Sequence, residues 1–493
     1  MTSHKLRLNL FAVLLLLITV VIAVVVSTGW TIVPINDDVG VDAAAVLDWS
    51  ESEIRAVFIH AYSHSGIDVE LVTETLKNYG INTLVIEALG VNYARYPTEL
   101  VTSNDFGILP EFVTAAHSRG MKLYVGMNVL AEAILPDSLM SERYGGGTPA
   151  TASPVKPATR DLIKALVEEL VSSYDIDGFM FDYIRYVWTD EPYEVEAKNK
   201  FILDTGLSDV NWGPDTHVDG GRYRQQFMEW RVQPINELVR DMRSWMLAKK
   251  PNLKFSAATW RWPAGYPTYW RYWIGQDSTY WVKEGWLDWV APMFYTDDVE
   301  NLESGLSSYV DTQTGGFGGV AKVVPFIDTV VDAVSTPENF AQRVNKLRQM
   351  GADGWIIWRY GGPGDGQGSN APDIRSYLSL LQMPITFKLE NMKVDSEQTS
   401  VKISWTTKLP TTGRVEYSSR PLFNATFKYA SATNFNYWDI DSGQSQVMES
   451  NLTVTNHTII VNGLLPQTTY YFRVKSQSDS GVAASQVLTF KTK

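Results

Sequence analysis

The feature that most constrains this chain is an alternation. Eight short apolar runs, separated by stretches of mostly helical period, follow one another between residues 54 and 358. They fall at 54–61, 83–88, 122–128, 178–183, 254–259, 289–295, 322–328 and 354–358. Segments suited to amphipathic helices occupy 69–78, 110–118, 161–174, 225–248 and 337–350. In 161–174, Leu162, Ala165, Leu166, Leu170 and Val171 share one face. Gly80, Gly120 and Gly351 stand where helix C-caps hand the chain to the next run. Parallel strands need crossover helices, and eight such units close into a (β/α)8 TIM barrel. An open doubly wound sheet would carry a glycine-rich phosphate loop after its first strand. Here His60-Ala61-Tyr62-Ser63-His64 follows instead.

The barrel accounts for 51–383, and the chain has 493 residues, enough for a second domain. From 384 to 493 the period shortens to that of strands, at 401–406, 413–417, 458–461, 469–474 and 487–491. Tyr470 follows a turn at Pro466-Gln467, as in a tyrosine-corner sandwich, and Trp405 is the candidate core tryptophan. At the other end, His4, Lys5 and Arg7 precede an uncharged apolar run from Leu10 to Val26. Seventeen helical residues span about 26 Å, near the thickness of a bilayer core. Residues 1–30 therefore read as a cytoplasmic tip with a transmembrane anchor, or as a cleaved signal, followed by a linker at 31–50. Either case exports the rest. The sequons at Asn424, Asn451 and Asn456 fit that expectation.

Charge and composition exclude several classes of function. The formal net charge is −13 and no basic run stands out, which argues against nucleic acid as a partner. With no cysteine, thiolate metal sites and cysteine nucleophiles are ruled out. Six histidines, only His60 and His64 close together, make a catalytic metal cage an unlooked-for feature, and no cofactor is expected. Seven of the seventeen tryptophans crowd between Trp260 and Trp289. Sugar rings stack on indole faces, so a glycan cleft is the functional reading and a buried aromatic core the structural one. Trp260, Trp262, Tyr295 and Trp358 are the cleft candidates; Trp286 and Trp289 belong to the core.

Barrel chemistry sits where strands end at the C-terminal face. The polar residues closing the runs are Glu87, Asn128, Asp182, Arg261, Asp297 or Asp298, Asp328 and Arg359. Glycosidic cleavage needs paired carboxyls, one protonated and one ionised. Asp182 is the candidate nucleophile or base, kept ionised by Arg185, and Asp297 the candidate acid, with Asp298, Asp328 and Glu87 as alternatives. His60 at the first-strand exit is a substrate candidate, and Arg261 and Arg359 would hold an acidic sugar or pair with rim carboxylates. His117, on a helix, reads as surface or packing.

The run from Tyr174 through Asp182-Tyr183-Ile184-Arg185-Tyr186 resembles the fourth-strand motif of glycosyl hydrolase-like family ten. Further matches are Glu53-Ile54-Arg55-Ala56-Val57, Ser153-Pro154 with Arg160, Trp230-Arg231, and the sixth-strand run Gly285 to Thr296. Val187-Trp188 follows the fourth-strand motif where the family carries proline. The resemblance implies an exported barrel acting on a polysaccharide or glycoconjugate, with Asp182 catalytic and Tyr183 and Arg185 beside it. The last domain resembles fibronectin type III modules, especially the one ahead of the metal site in purple acid phosphatases, whose catalytic domain is absent. A non-catalytic glycan-binding barrel, and a lyase or transglycosylase, are the alternatives.

Overall fold

A computed structural model describes residues 53–60, 66–90, 93–104, 107–130, 135–261, 269–296, 298–310, 320–329, 336–365, 371–381, 389–422, 425–428, 437–440, 445–478 and 481–493. The apolar run at 10–26, the linker at 31–50, His64, Trp262, Asp297 and Asn424 lie outside them. Among the described residues, no helix is long and apolar enough to cross a membrane.

The parallel strands are β1 (Ile54–Ile59), β2 (Thr83–Leu89), β3 (Lys122–Asn128), β4 (Gly178–Asp182), β5 (Lys254–Trp260), β6 (Trp289–Phe294), β7 and β8 (Gly354–Trp358). β7 comes in two pieces, Lys322–Val323 and Phe326–Asp328, where one run was expected. Pro325 lies between them and has no N–H for the ladder. Each strand pairs with the next, and Ile54 against Gly354 closes the ring between β1 and β8. The helices are α1 (Val69–Asn78), α2 (Ile108–Ser118), α3 (Pro157–Ser173), α4 (Val195–Thr205), α5 (Arg224–Trp230), α6 (Val232–Lys249), α7 (Tyr269–Ile274), α8 (Ser278–Lys283), α9 (Val299–Val310), α10 (Pro337–Met350) and α11 (Ile374–Leu378). The single helix expected over 225–248 is two, broken at Arg231. Pro234 cannot donate to the carbonyl of Trp230 and its ring clashes there, so the turn opens.

Two cores follow from strand alternation. Ile54, Ala56, Phe58, Val85, Tyr124, Met180, Trp289 and Phe326 fill the barrel. Val57, Leu84, Ile86, Phe179, Phe181 and Val290 face outward beneath the helices. Gly126 sits tightly in the inner layer: a Cβ there would lie 3.0 Å from the Phe58 ring.

The C-terminal module is antiparallel, with β9 (Glu390–Ser396), β10 (Ser400–Ser418), β11 (Ala425–Lys428), β12 (Tyr437–Ile440), β13 (Gln446–Asn462), β14 (Thr469–Ser478), β15 (Gly481–Ala484) and β16 (Leu488–Lys491). The two runs expected at 401–406 and 413–417 are one long strand. β10 pairs with β9 through its first part and β14 through its second, with β13 along both. Trp405 is buried, stacks on His457 and donates from Nε1 to Ser476 Oγ at 2.8 Å. The Leu465 N–H donates to the Tyr470 hydroxyl at 2.9 Å, which closes the tyrosine corner.

Candidate active site

Met180 lies inside the barrel, so Asp182, two residues on, faces the same interior at the mouth. The same count brings His60, Glu87, Asn128, Trp260, Tyr295, Asp328 and Trp358 to the rim from the other strands. Tyr295 and Trp358 pack on the inner cluster with ring centres 6.5 Å apart. His60 meets Trp358 edge-on at 5.2 Å, and its Nε2 lies 3.4 Å from Glu87 Oε1. Gly90 makes room for that carboxylate: a Cβ there would sit 3.0 Å from Glu87 Oε2.

β4 ends on a strained turn. Tyr183 has φ +51°, a left-handed conformation that costs an L residue about 1–2 kcal/mol. It aims the Tyr183 N–H at Asp182 Oδ1, 2.6 Å away. The turn also brings Arg185 over the Tyr183 ring at 4.5 Å and toward Trp260 at 5.7 Å. Burial raises the Asp182 carboxyl above the usual range; Arg185 and the Tyr183 N–H pull it down without offsetting that. Arg185 lowers the carboxyl as the sequence suggests, but burial is the larger effect. Its guanidinium lies against two aromatic faces, and attraction across that gap is weaker than the loss of water around the carboxyl. Burial also drives the Tyr295 hydroxyl well above its ordinary range, with Asp182, Asp328 and Tyr183 adding to the effect.

Asp328 is almost wholly buried and is held by Arg343 of α10. Arg343 Nη1 reaches Asp328 Oδ1 at 3.4 Å and the Thr296 carbonyl at 2.9 Å, and Nη2 reaches the Asp328 carbonyl at 3.1 Å. This cation ties the ends of β6 and β7 together. Arg261 is exposed beyond β5, and Arg359 is partly buried beyond β8. Much of the aromatic density is structural: Trp281 is buried and donates to Asn236 Oδ1 at 2.7 Å, and Trp289 packs on Tyr124. Among the described residues, no group of three or more His, Cys, Asp or Glu converges as metal ligands.

The residues that hold the β4 exit in place were not legible as such. Arg231, fully buried at the helix break, donates to the carbonyls of Trp188 (2.7 Å), Thr189 (2.9 Å), Tyr272 (3.2 Å) and Trp273 (3.4 Å). It also lies over the Tyr186 ring. Glu191 accepts from Thr151 Oγ1 at 2.7 Å, and Glu194 accepts from Ser153 Oγ and from the Glu142 N–H. Ser153 and Trp230-Arg231 carried the resemblance in sequence, but two acids in a polar stretch gave no sign of burial.

The family model described as Glycosyl hydrolase-like 10 matches residues 135–314, a stretch that contains α3 through α9 with β4, β5 and β6. The model of the purple acid phosphatase N-terminal domain matches 391–492. Among curated proteins, Glycosyl hydrolase YngK of Bacillus subtilis is 23% identical over 293 residues, covering 50% of this chain and 54% of that protein. Glycosyl hydrolase DigH of Escherichia coli K12 is 24% identical over 263 residues, covering 45% and 56%. The chain thus spans about half the length of these relatives. The PgaB (BpsB) glycoside hydrolase domain of Bordetella bronchiseptica superposes with a TM-score of 0.53 at 15% identity, over 67% of this chain and all of that domain. That likeness shows the barrel fold.

Proposed function

We propose that the protein is an exported glycoside hydrolase that cleaves O-glycosidic bonds of a surface or extracellular polysaccharide or glycoconjugate at the barrel mouth. The observation that carries this reading is the state of Asp182. It ends β4 inside the barrel, on a strained turn, with burial raising its carboxyl above the usual range. A glycosidase needs one carboxyl that stays protonated to hand its proton to the leaving oxygen, and a second that is ionised. Asp182 suits the first role, in place of the nucleophile or base expected from sequence. The second carboxyl comes from Asp297, Glu87 or Asp328. Trp260 and Trp358 offer faces for sugar rings, with His60, Tyr183, Arg185, Tyr295, Arg261 and Arg359 as further substrate contacts; Trp262, outside the described residues, is a third candidate. The names of the two curated relatives agree with this class of reaction.

The test is release of reducing ends from a broad glycan panel by the full chain, with Asp182→Asn beside it. Turnover that vanishes in the variant while glycan binding persists supports the reading. Binding without any cleavage by the wild type makes the barrel a lectin-like module, and unsaturated products make it a lyase. Amide substitutions at Glu87, Asp297 and Asp328 then identify the second carboxyl. Tethering through the run at 10–26 belongs to the same proposal, supported by its length and by Lys5 and Arg7. Protease accessibility of the barrel on intact cells checks it.

A further inference from the structure

The barrel has a second end. Where α9 and α10 finish at the foot, the C-terminal module closes against them, and Gly351 meets Val482. Between the two lies a cleft of about 730 Å³, in the size range of small-molecule sites. Gln349 lines it from the barrel; Thr412, Arg414, Arg473, Lys475 and Gln477 line it from β10 and β14.

Arg473 is unusual among them. It is 2% exposed, and its Nε donates to the Ser485 carbonyl at 2.9 Å. Its two Nη groups make no hydrogen bond and no ion pair among the described residues, although the side chain borders the cleft. Neither Nη group is among the buried polar atoms left without a partner, so both open onto the cleft and present their donors to it. The other cations here are engaged: Lys475 Nζ lies 2.8 Å from Glu416 Oε1, and Arg414 pairs with Glu416 and Glu449. Asp353, in the field of Arg473, Lys322 and Lys475, completes the charged set. Arg473 itself lies in the field of Glu416 and Asp353.

We infer that this cleft is a second binding site, for an acidic saccharide whose carboxylate or phosphate sits on Arg473. The planar guanidinium matches such an oxyanion with paired hydrogen bonds. The amides of Gln349 and Gln477 and the hydroxyl of Thr412 suit the hydroxyls of the ring. The site is separate from the barrel mouth, because Asp353 precedes β8 whereas Trp358 ends it. A glycan held there would be anchored without occupying Asp182.

Calorimetric titration of the full chain with a uronate disaccharide, a sugar phosphate, the matching neutral sugar and inorganic phosphate tests the site. Using Asp182→Asn protein throughout prevents turnover and keeps the result independent of catalysis. The acidic sugars are expected to bind, the neutral sugar to bind much more weakly, and added salt to weaken the acidic ones. Arg473→Gln should weaken binding roughly tenfold or more. Should that variant fail to fold, Gln349→Ala, on the barrel wall, should weaken it several-fold. Whichever of the two acidic probes binds more tightly tells carboxylate from phosphate as the natural anchor. Equal affinity for the neutral sugar, equally tight binding of inorganic phosphate alone, or binding unchanged in both cleft variants overturns the inference.

Discussion

Strand β4 is bracketed by two aspartates five positions apart, and they are opposite in character. Asp177, at the foot, accepts from the Leu123 N–H at 2.9 Å, from Lys122 Nζ at 2.8 Å and bonds His117 Nε2 at 2.9 Å. Burial would raise its carboxyl, but those three partners outweigh it and hold it below the usual range. Asp182, at the mouth, has one short backbone donor and a guanidinium turned to aromatic faces, and burial wins. The foot pattern repeats around the barrel. Asn82 accepts the Arg55 N–H at 2.9 Å, Asp288 that of Phe255 at 2.9 Å, and Asp353 that of Val323 at 2.8 Å. Each such residue stands just before an even-numbered strand and ties down the start of the strand before it. At the foot these side chains cap the starts of neighbouring strands; at the mouth Asp182 accepts, among the described residues, only from the N–H of the next residue.

The largest expected effect separates the two ends by activity. Asp182→Asn should lower turnover by about 10²–10⁴-fold, the usual contribution of a general acid, in any glycosidase assay the wild type passes. Next comes the support beneath the mouth. Arg231→Met leaves four carbonyls without their donor and should cost on the order of 3 kcal/mol in chemical denaturation. Asp177→Ala should cost about 1–3 kcal/mol while turnover per folded molecule stays unchanged. A loss of turnover there, with stability intact, would erase the contrast between foot and mouth.

The pH dependences should also run in opposite senses. The lowered carboxyl of Asp177 stabilises the fold above its unfolded value and loses that contribution as pH falls through the folded one. The raised carboxyl of Asp182 favours the fold in acid, and that contribution is lost as pH rises through the folded value. Activity should fall on the same basic limb as the proton donor ionises. Arg185→Met removes a cation that lowers Asp182, so the limb should move upward, by about one pH unit or less. A downward movement in a pH–rate profile would refute the assignment of the limb.

The sequence reveals the barrel because its strands are buried on both faces, and such runs stand out wherever helices intervene. The breaks in pattern come from local chemistry: Pro325 splits β7, and Pro234 opens the helix at Arg231. Ends of strands are harder to judge. Asp177 and Asp182 both border the same apolar run, and only chain direction marks one as foot and the other as mouth. Direction alone still did not disclose that burial outweighs Arg185 at Asp182, since Arg185 three residues on reads as its partner. Its guanidinium stacks on Tyr183 and Trp260 instead, and Trp260 comes from a distant part of the chain. Asp328 is a similar case, because the cation that claims it, Arg343, lies on the helix of the next unit.

Melting temperature of Asp182→Asn above the basic limb, and its turnover at the activity plateau below that limb, each compared with wild type on one preparation, test the central contrast most directly. The account expects a variant at least as stable as the wild type, since no charge remains to be buried, and without glycosidase activity. A variant that melts earlier yet still cleaves glycans would make Asp182 a structural residue like those at the foot.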